Sequence, residues 1–153
     1  MLAQSIITNY TENHRIILLT ESITAGGIAQ QLARIPGASR VLWGSLVLYQ
    51  IEAKMQLLQI DASLLCPEKI ASQETVIAMA EATASLYKIR SSTSQCFTSL
   101  SISGFADGPQ AGIVSCALVT EKNIHAVTWH LTGSRQEIQD TAIQQALELL
   151  ARP

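Results

Sequence analysis

The run Arg15-Ile16-Ile17-Leu18-Leu19-Thr20 constrains this chain more than any other segment. Its apolar residues are consecutive rather than alternate, so as a strand it hides both faces from water. A strand buried on both sides needs helices above and below it, which is the arrangement of α/β proteins. Immediately after it comes Glu21-Ser22-Ile23-Thr24-Ala25-Gly26-Gly27, and then a stretch with helical spacing that ends at the turn pair Pro36-Gly37. A strand followed by a polar, glycine-bearing break and a helix also marks where ligands usually meet such sheets.

The remaining periodicities fit the same frame. The spacing of Leu2, Ile6, Ile7 and Tyr10 predicts a short amphipathic helix, and a helix is expected over about 25–35. A second strand is expected over 41–50 and a short helix over 52–58, followed by an irregular link through Cys66-Pro67. Ser72 opens the longest helical run, to about Lys88, with Val76, Met79, Ala80, Thr83 and Leu86 on one stripe. Segment 96–104 alternates on a period of two and puts Ser99, Ser101 and Ser103 on one face. Segments 112–120 and 124–131, separated by Glu121-Lys122-Asn123, read as an antiparallel hairpin. Ser134-Arg135-Gln136-Glu137 is an S-x-x-E capping box for a last helix to about Ala151. The expected fold is a three-layer α/β/α sandwich with a mixed sheet, formed as one domain over 1–153.

Composition removes several function classes. Net charge is −2 with scattered basic residues, which argues against a nucleic-acid partner. No apolar run approaches the roughly 20 residues that span a bilayer, and the first residues lack a signal-peptide pattern, so no membrane partner and a cytoplasmic location are expected. Charged residues are only 14% of the chain, which suggests surface covered by a second subunit and hence a homo-oligomer. Cys66, Cys96 and Cys116 form no C-x-x-C pair and read as reduced, buried thiols. His125 and His130 stand at an odd offset in a strand-like run, on opposite faces, and no metal site is expected.

Three places can carry chemistry. At the first, Glu21, Ser22, Thr24 and Gly26 lie at a strand-to-helix turn, where Ser22 is placed to act as a nucleophile and helix-start N–H groups to hold an oxyanion. The plain alternative makes Ser22 or Thr24 a helix N-cap. At the second, Tyr49 and Lys54 bracket a strand-to-helix junction. A lysine whose pKa is lowered can act as base for a serine, whereas an ordinary Lys54 is a solvated helix residue and Tyr49 a strand-end aromatic. The third is the loop from Ser101 to Gly112, where Ser103 can meet a ligand or merely connect strands. Arg135, just behind the capping serine, is either a phosphate fork or a surface cation. A Ser22–Lys54 separation of about 2.6–3.2 Å distinguishes catalysis from capping.

Taken together, these segments resemble the CinA C-terminal domain family, which includes the stand-alone nicotinamide-nucleotide amidohydrolases. The likeness covers nearly the whole chain and keeps the order of motifs. The family's E-S-C-T-G-G corresponds to Glu21-Ser22-Ile23-Thr24-Ala25-Gly26, and its P-G-S-S turn to Pro36-Gly37-Ala38-Ser39. Its Y-S-N-x-x-K corresponds to Tyr49-Gln50-Ile51-Glu52-Ala53-Lys54. The S-G-I-A-G-P loop is met by Ser103-Gly104-Phe105-Ala106-Asp107-Gly108-Pro109, and a late G-x-R by Gly133-Ser134-Arg135. The resemblance implies hydrolysis of the carboxamide of nicotinamide mononucleotide to nicotinic acid mononucleotide and ammonia. In that scheme Ser22 attacks, Lys54 and Tyr49 move protons, Glu21, Thr24, Gly26, Ser103 and Arg135 help hold the nucleotide, and no cofactor is required. Ala25, Gln50, Ile51 and the shortened glycine-rich loop depart from the family pattern. Those departures keep two alternatives open: a ligand-binding or oligomeric module, and an amidase with a different substrate.

Overall fold

The computed structural model describes residues 1–93 and 95–152. Five strands form one mixed sheet: β1 (Ile16–Glu21), β2 (Leu42–Val47), β3 (Phe97–Gly104), β4 (Ile113–Thr120) and β5 (Ile124–His130), in the order β2-β1-β3-β4-β5. The first three run parallel to one another, and β4 and β5 close the sheet antiparallel. On one face lie α1 (Leu2–Glu12), α2 (Gly27–Ala33) and α5 (Arg135–Leu150); on the other lie α3 (Ile51–Leu58) and α4 (Gln73–Arg90). This is the expected α/β/α sandwich.

Every residue of β1 is buried, as its consecutive apolar run requires. Ile17 and Leu19 pack with Ile28, Leu32, Leu100 and Ile102 against the α1, α2 and α5 layer. Ile16 and Leu18 turn the other way, towards Ala84, Tyr87 and Phe97. Full burial of such a side chain contributes roughly 1.5–3 kcal/mol, so β1 joins the two cores. The same alternation puts Glu21 on the α2 side of the sheet.

The α4 layer is docked differently. Ser99 and Ser115 donate to the carbonyls of Ala80 and Ala71 at 2.8 and 2.6 Å, and Ser101 donates to that of Val76. Thr20 and Thr83 share a hydrogen bond across the same seam. Small hydroxyl side chains opposite Val76 and Ala80 let helix and sheet approach closely, and each buried hydroxyl among the described residues finds a partner.

Helix ends follow local chemistry. Ser72 caps α4 by accepting from the N–H of Thr75, and Ser134 and Glu137 form the anticipated capping box on α5. Helix α2 begins at Gly27, two residues later than expected, because Ala25 and Gly26 both adopt left-handed backbone, φ +50° and +93°. A Cβ on Gly26 would meet only Val47 Cγ2 at 3.5 Å, so it is the backbone angle and not space that favours glycine there. Ala25 carries a Cβ in that strained region. Ala25→Gly is therefore expected to raise stability by about 1 kcal/mol, a melting shift of roughly 2–4 °C. An unchanged or lower melting temperature would show that the turn stores no such strain.

The cysteine expectation needs correction. Cys116 is buried, but Cys66 is half-buried and Cys96 is exposed, since it lies just before β3 begins rather than inside it. Exposed apolar side chains gather on the β2 edge and α3, at Trp43, Val47, Tyr49, Ile51, Met55 and Leu57. Among the described residues no helix is long and apolar enough to cross a membrane.

Candidate active site

The site forms at the carboxyl end of β1. Glu21 ends the strand, and its fully buried carboxylate accepts four hydrogen bonds. Oε2 takes the Thr24 hydroxyl at 2.8 Å and the Ile28 N–H at 3.0 Å; Oε1 takes the Ala29 N–H and the Ser45 hydroxyl, both at 3.0 Å. Ile28 and Ala29 stand at the start of α2, so Glu21 caps that helix from outside it, and its charge suits the helix's positive end. Ser45 comes from β2, where it is paired with Leu19 and so shares Glu21's face. From α5, Gln139 Nε2 donates to the Ile23 carbonyl at 2.9 Å and ties the same turn to that helix.

This arrangement revises several readings. Neither Ser22 nor Thr24 caps α2, whose N-cap is Gly26 with no side-chain bond of its own. Glu21, expected to hold substrate, is occupied within the protein. The N–H groups of Ile28 and Ala29, expected to face an oxyanion, are already taken by that carboxylate.

Ser22, 6% exposed, follows directly, with its N–H donating to the Ile102 carbonyl at 3.2 Å. Its Oγ lies 3.0 Å from Lys54 Nζ, within the reach required of a nucleophile and its base. Lys54 is carried inward by α3, whose buried residues are Lys54 and Leu58, one turn apart. It is only 1% exposed, and the Tyr49 carbonyl accepts from Nζ at 3.3 Å. Among the described residues the ion pairs are Arg15–Glu121, Lys69–Glu74 and Arg135–Asp107, and none includes Lys54. Burial without a carboxylate disfavours the ammonium and lowers the lysine pKa to about 8.

The other candidates separate into two groups. Thr24 is buried and committed to Glu21. Ser103 turns to the α4 side and donates to the Ile70 carbonyl at 2.7 Å. Tyr49 serves Lys54 through its backbone; its phenol oxygen accepts from Arg135 Nη2, while Arg135 Nη1 donates to Asp107. Gln50 and Ile51 occupy the exposed start of α3 beside Tyr49. The sequence reading missed Ser45, Asp107 and Gln139. Strand register would have indicated Ser45, but no local pattern marks the other two.

A cavity of about 520 Å³ lies at the opposite end of the sheet, lined by residues including Arg15, Thr98 and His125, and does not include Ser22. His125 and His130 are both exposed, opposite Leu118 and Ile113 of β4. No group of three or more His, Cys, Asp or Glu residues suited to a metal occurs among the described residues.

Comparison with known proteins identifies the family. A family model for the CinA C-terminal domain matches residues 1–153. The chain is 31% identical over 144 residues to a CinA-like protein of Endomicrobium trichonymphae, covering 92% of this chain and 33% of the relative. It is 30% identical over 148 residues to a CinA-like protein of Fervidobacterium nodosum, covering 92% and 34%. The chain thus spans about a third of the length of these relatives. Among solved structures, the competence/damage inducible protein CihA from Agrobacterium tumefaciens is 28% identical with a TM-score of 0.84, over 97% of this chain and 91% of that one. A competence-damaged protein (CinA) superfamily protein from Enterobacter cloacae superposes with a TM-score of 0.86 at 21% identity, over 98% and 88%, a likeness of fold. With its motifs, topology and whole-length match in agreement, the chain belongs to the CinA C-terminal domain family.

Proposed function

We propose that this protein is a serine amidohydrolase that converts the carboxamide of nicotinamide mononucleotide to the carboxylate, releasing nicotinic acid mononucleotide and ammonia. The observation that carries this reading is the 3.0 Å contact between Ser22 Oγ and the buried Lys54 Nζ, which makes no ion pair among the described residues. Neutral Lys54 takes the hydroxyl proton as Oγ adds to the carboxamide carbon. Protonated Lys54 returns that proton to the amide nitrogen, the C–N bond breaks, ammonia leaves, and an ester to Ser22 remains. Water, deprotonated by Lys54, then attacks the ester and frees the carboxylate and Ser22. Because Glu21 occupies the α2 start, the oxyanion falls to the turn itself. There the N–H groups of Ile23 and Thr24 have no acceptor among the described residues.

The test is ammonia release from nicotinamide mononucleotide by the purified protein. Ser22→Ala is expected to lower that release by at least about 10³-fold while leaving the fold intact. Absence of release, or a Ser22→Ala protein as active as the parent, removes this reading. The pH dependence has a definite sign. The competent form of Lys54 is the neutral one, so kcat/KM should climb with pH through about 8 and level off above it. A profile that is flat from pH 6 to 9 would exclude Lys54 as the base.

A further inference from the structure

Three connections meet in one polar chain at the rim of the site. Arg135 is the first residue of α5, Asp107 belongs to the β3–β4 loop, and Tyr49 lies between β2 and α3. The guanidinium donates through Nη1 to Asp107 and through Nη2 to the Tyr49 phenol. Tyr49 at the same time holds Lys54 through its carbonyl, so this chain begins beside the base that serves Ser22. Arg135 is a cation at the positive end of a helix, where the dipole opposes it, and a nearby negative group offsets that. In the free protein Glu137 of the capping box stands in that first turn, and Asp107 is the carboxylate that the guanidinium itself holds.

We propose that Asp107 is a specificity-determining residue which keeps Arg135 occupied, so that a substrate phosphate must displace a carboxylate to reach the guanidinium. The inference rests on the amidohydrolase reading for its substrate class. The pair is loosely held: the Arg135 and Asp107 side chains are 48% and 74% exposed, and such surface pairs are weak and screened. A phosphate dianion can engage a guanidinium with two oxygens and so replaces one carboxylate contact. The displaced Asp107 stays on the same loop, however, and repels the incoming charge. Repulsion between such charges about 5 Å apart near solvent changes affinity by roughly five- to tenfold, less at high salt. An unphosphorylated substrate meets no such competition. Asp107 therefore narrows the advantage that Arg135 would otherwise give a nucleotide over its nucleoside.

The experiment compares nicotinamide mononucleotide with nicotinamide riboside, using the whole chain and Asp107→Asn. The ratio of their kcat/KM values should shift towards the nucleotide by about five- to tenfold in Asp107→Asn, through KM, and the shift should shrink in 0.5 M salt. An unchanged ratio, or one that moves towards the riboside, overturns the proposal; the second result would mean that Asp107 positions Arg135 for the phosphate. A second arm does not depend on turnover. Calorimetric titration of nicotinamide mononucleotide into Ser22→Ala and into Ser22→Ala/Asp107→Asn should show tighter binding by the double variant, again five- to tenfold. Equal affinities, or no binding by either, overturn it. If neither amide is hydrolysed but the double variant binds more tightly, the catalytic reading falls and the role of Asp107 stands.

Discussion

Replacing Lys54 with methionine is expected to reduce ammonia release by about 10³-fold and, at pH 7, to raise the melting temperature. Turnover falls because the base is gone, and stability rises because a buried ammonium is gone with it. The ammonium is buried with no carboxylate partner among the described residues, and its pKa of about 8 lies below the roughly 10.4 of a solvated lysine. Holding the proton inside the fold at neutral pH therefore costs about 3 kcal/mol. Methionine has similar length and no charge, and it forfeits the bonds to Ser22 and to the Tyr49 carbonyl, worth about 1 kcal/mol each. The net gain is about 1 kcal/mol or slightly more, a rise of a few degrees. Linkage provides the control. Between pH 8 and about 10.4 the unfolded chain binds the Lys54 proton and the folded one does not, so parent stability rises with pH across that window. The cost is complete below pH 8 and nearly gone above 10.4. The advantage of Lys54→Met should accordingly vanish and reverse by pH 10, where the two lost bonds outweigh the remaining cost of the charge. Paired thermal melts at pH 7 and pH 10 would check this, and a variant less stable than the parent at both would refute the buried-ammonium account.

Glu21→Gln should produce the opposite pattern, with stability and activity lost together. Each carboxylate oxygen receives one backbone N–H and one hydroxyl. A glutamine can turn either way, but its NH₂ must then oppose the N–H of Ile28 or that of Ala29. One buried backbone donor is left without an acceptor, and the negative charge at the start of α2 is lost as well. Together these cost about 3–4 kcal/mol, a fall of roughly 10 °C for a chain of this size. Ser22 is the next residue, so its hydroxyl shifts with the turn. A displacement near 1 Å is worth about 10² in turnover. Thermal melts and ammonia release on the same preparations test both parts. A Glu21→Gln protein melting within 2 °C of the parent would show that the four bonds are not what holds the turn.

Much of this molecule is legible in one dimension. The uninterrupted apolar run of β1 requires cover on both faces, and that alone leads to a layered α/β fold. Period-two alternation puts Ser99, Ser101 and Ser103 on one side of β3, and the S-x-x-E pattern announces the start of α5. These are short-range signals, spoken by neighbours in sequence. The same parity that buries Ile17 and Leu19 under α2 turns Glu21 that way too, although its pattern suggested substrate rather than a cap.

What lay beyond that reading involves partners far apart in the chain. That the serine face of β3 meets helix carbonyls, drawing Ser103 away from the expected ligand role, depends on which helix covers it. Arg135 finds Asp107 and Tyr49 because three separate connections end at one rim of the sheet. The sequence by itself determined the alternation of strand and helix and the presence of a serine at a strand end, because periodicity and turn chemistry are local. Only the tertiary structure decided that Lys54, 32 residues along, is buried beside that serine with no ion-pair partner among the described residues. A lysine's pKa responds to the solvent and charges packed around it, and those are set by the fold rather than by its neighbours in the chain.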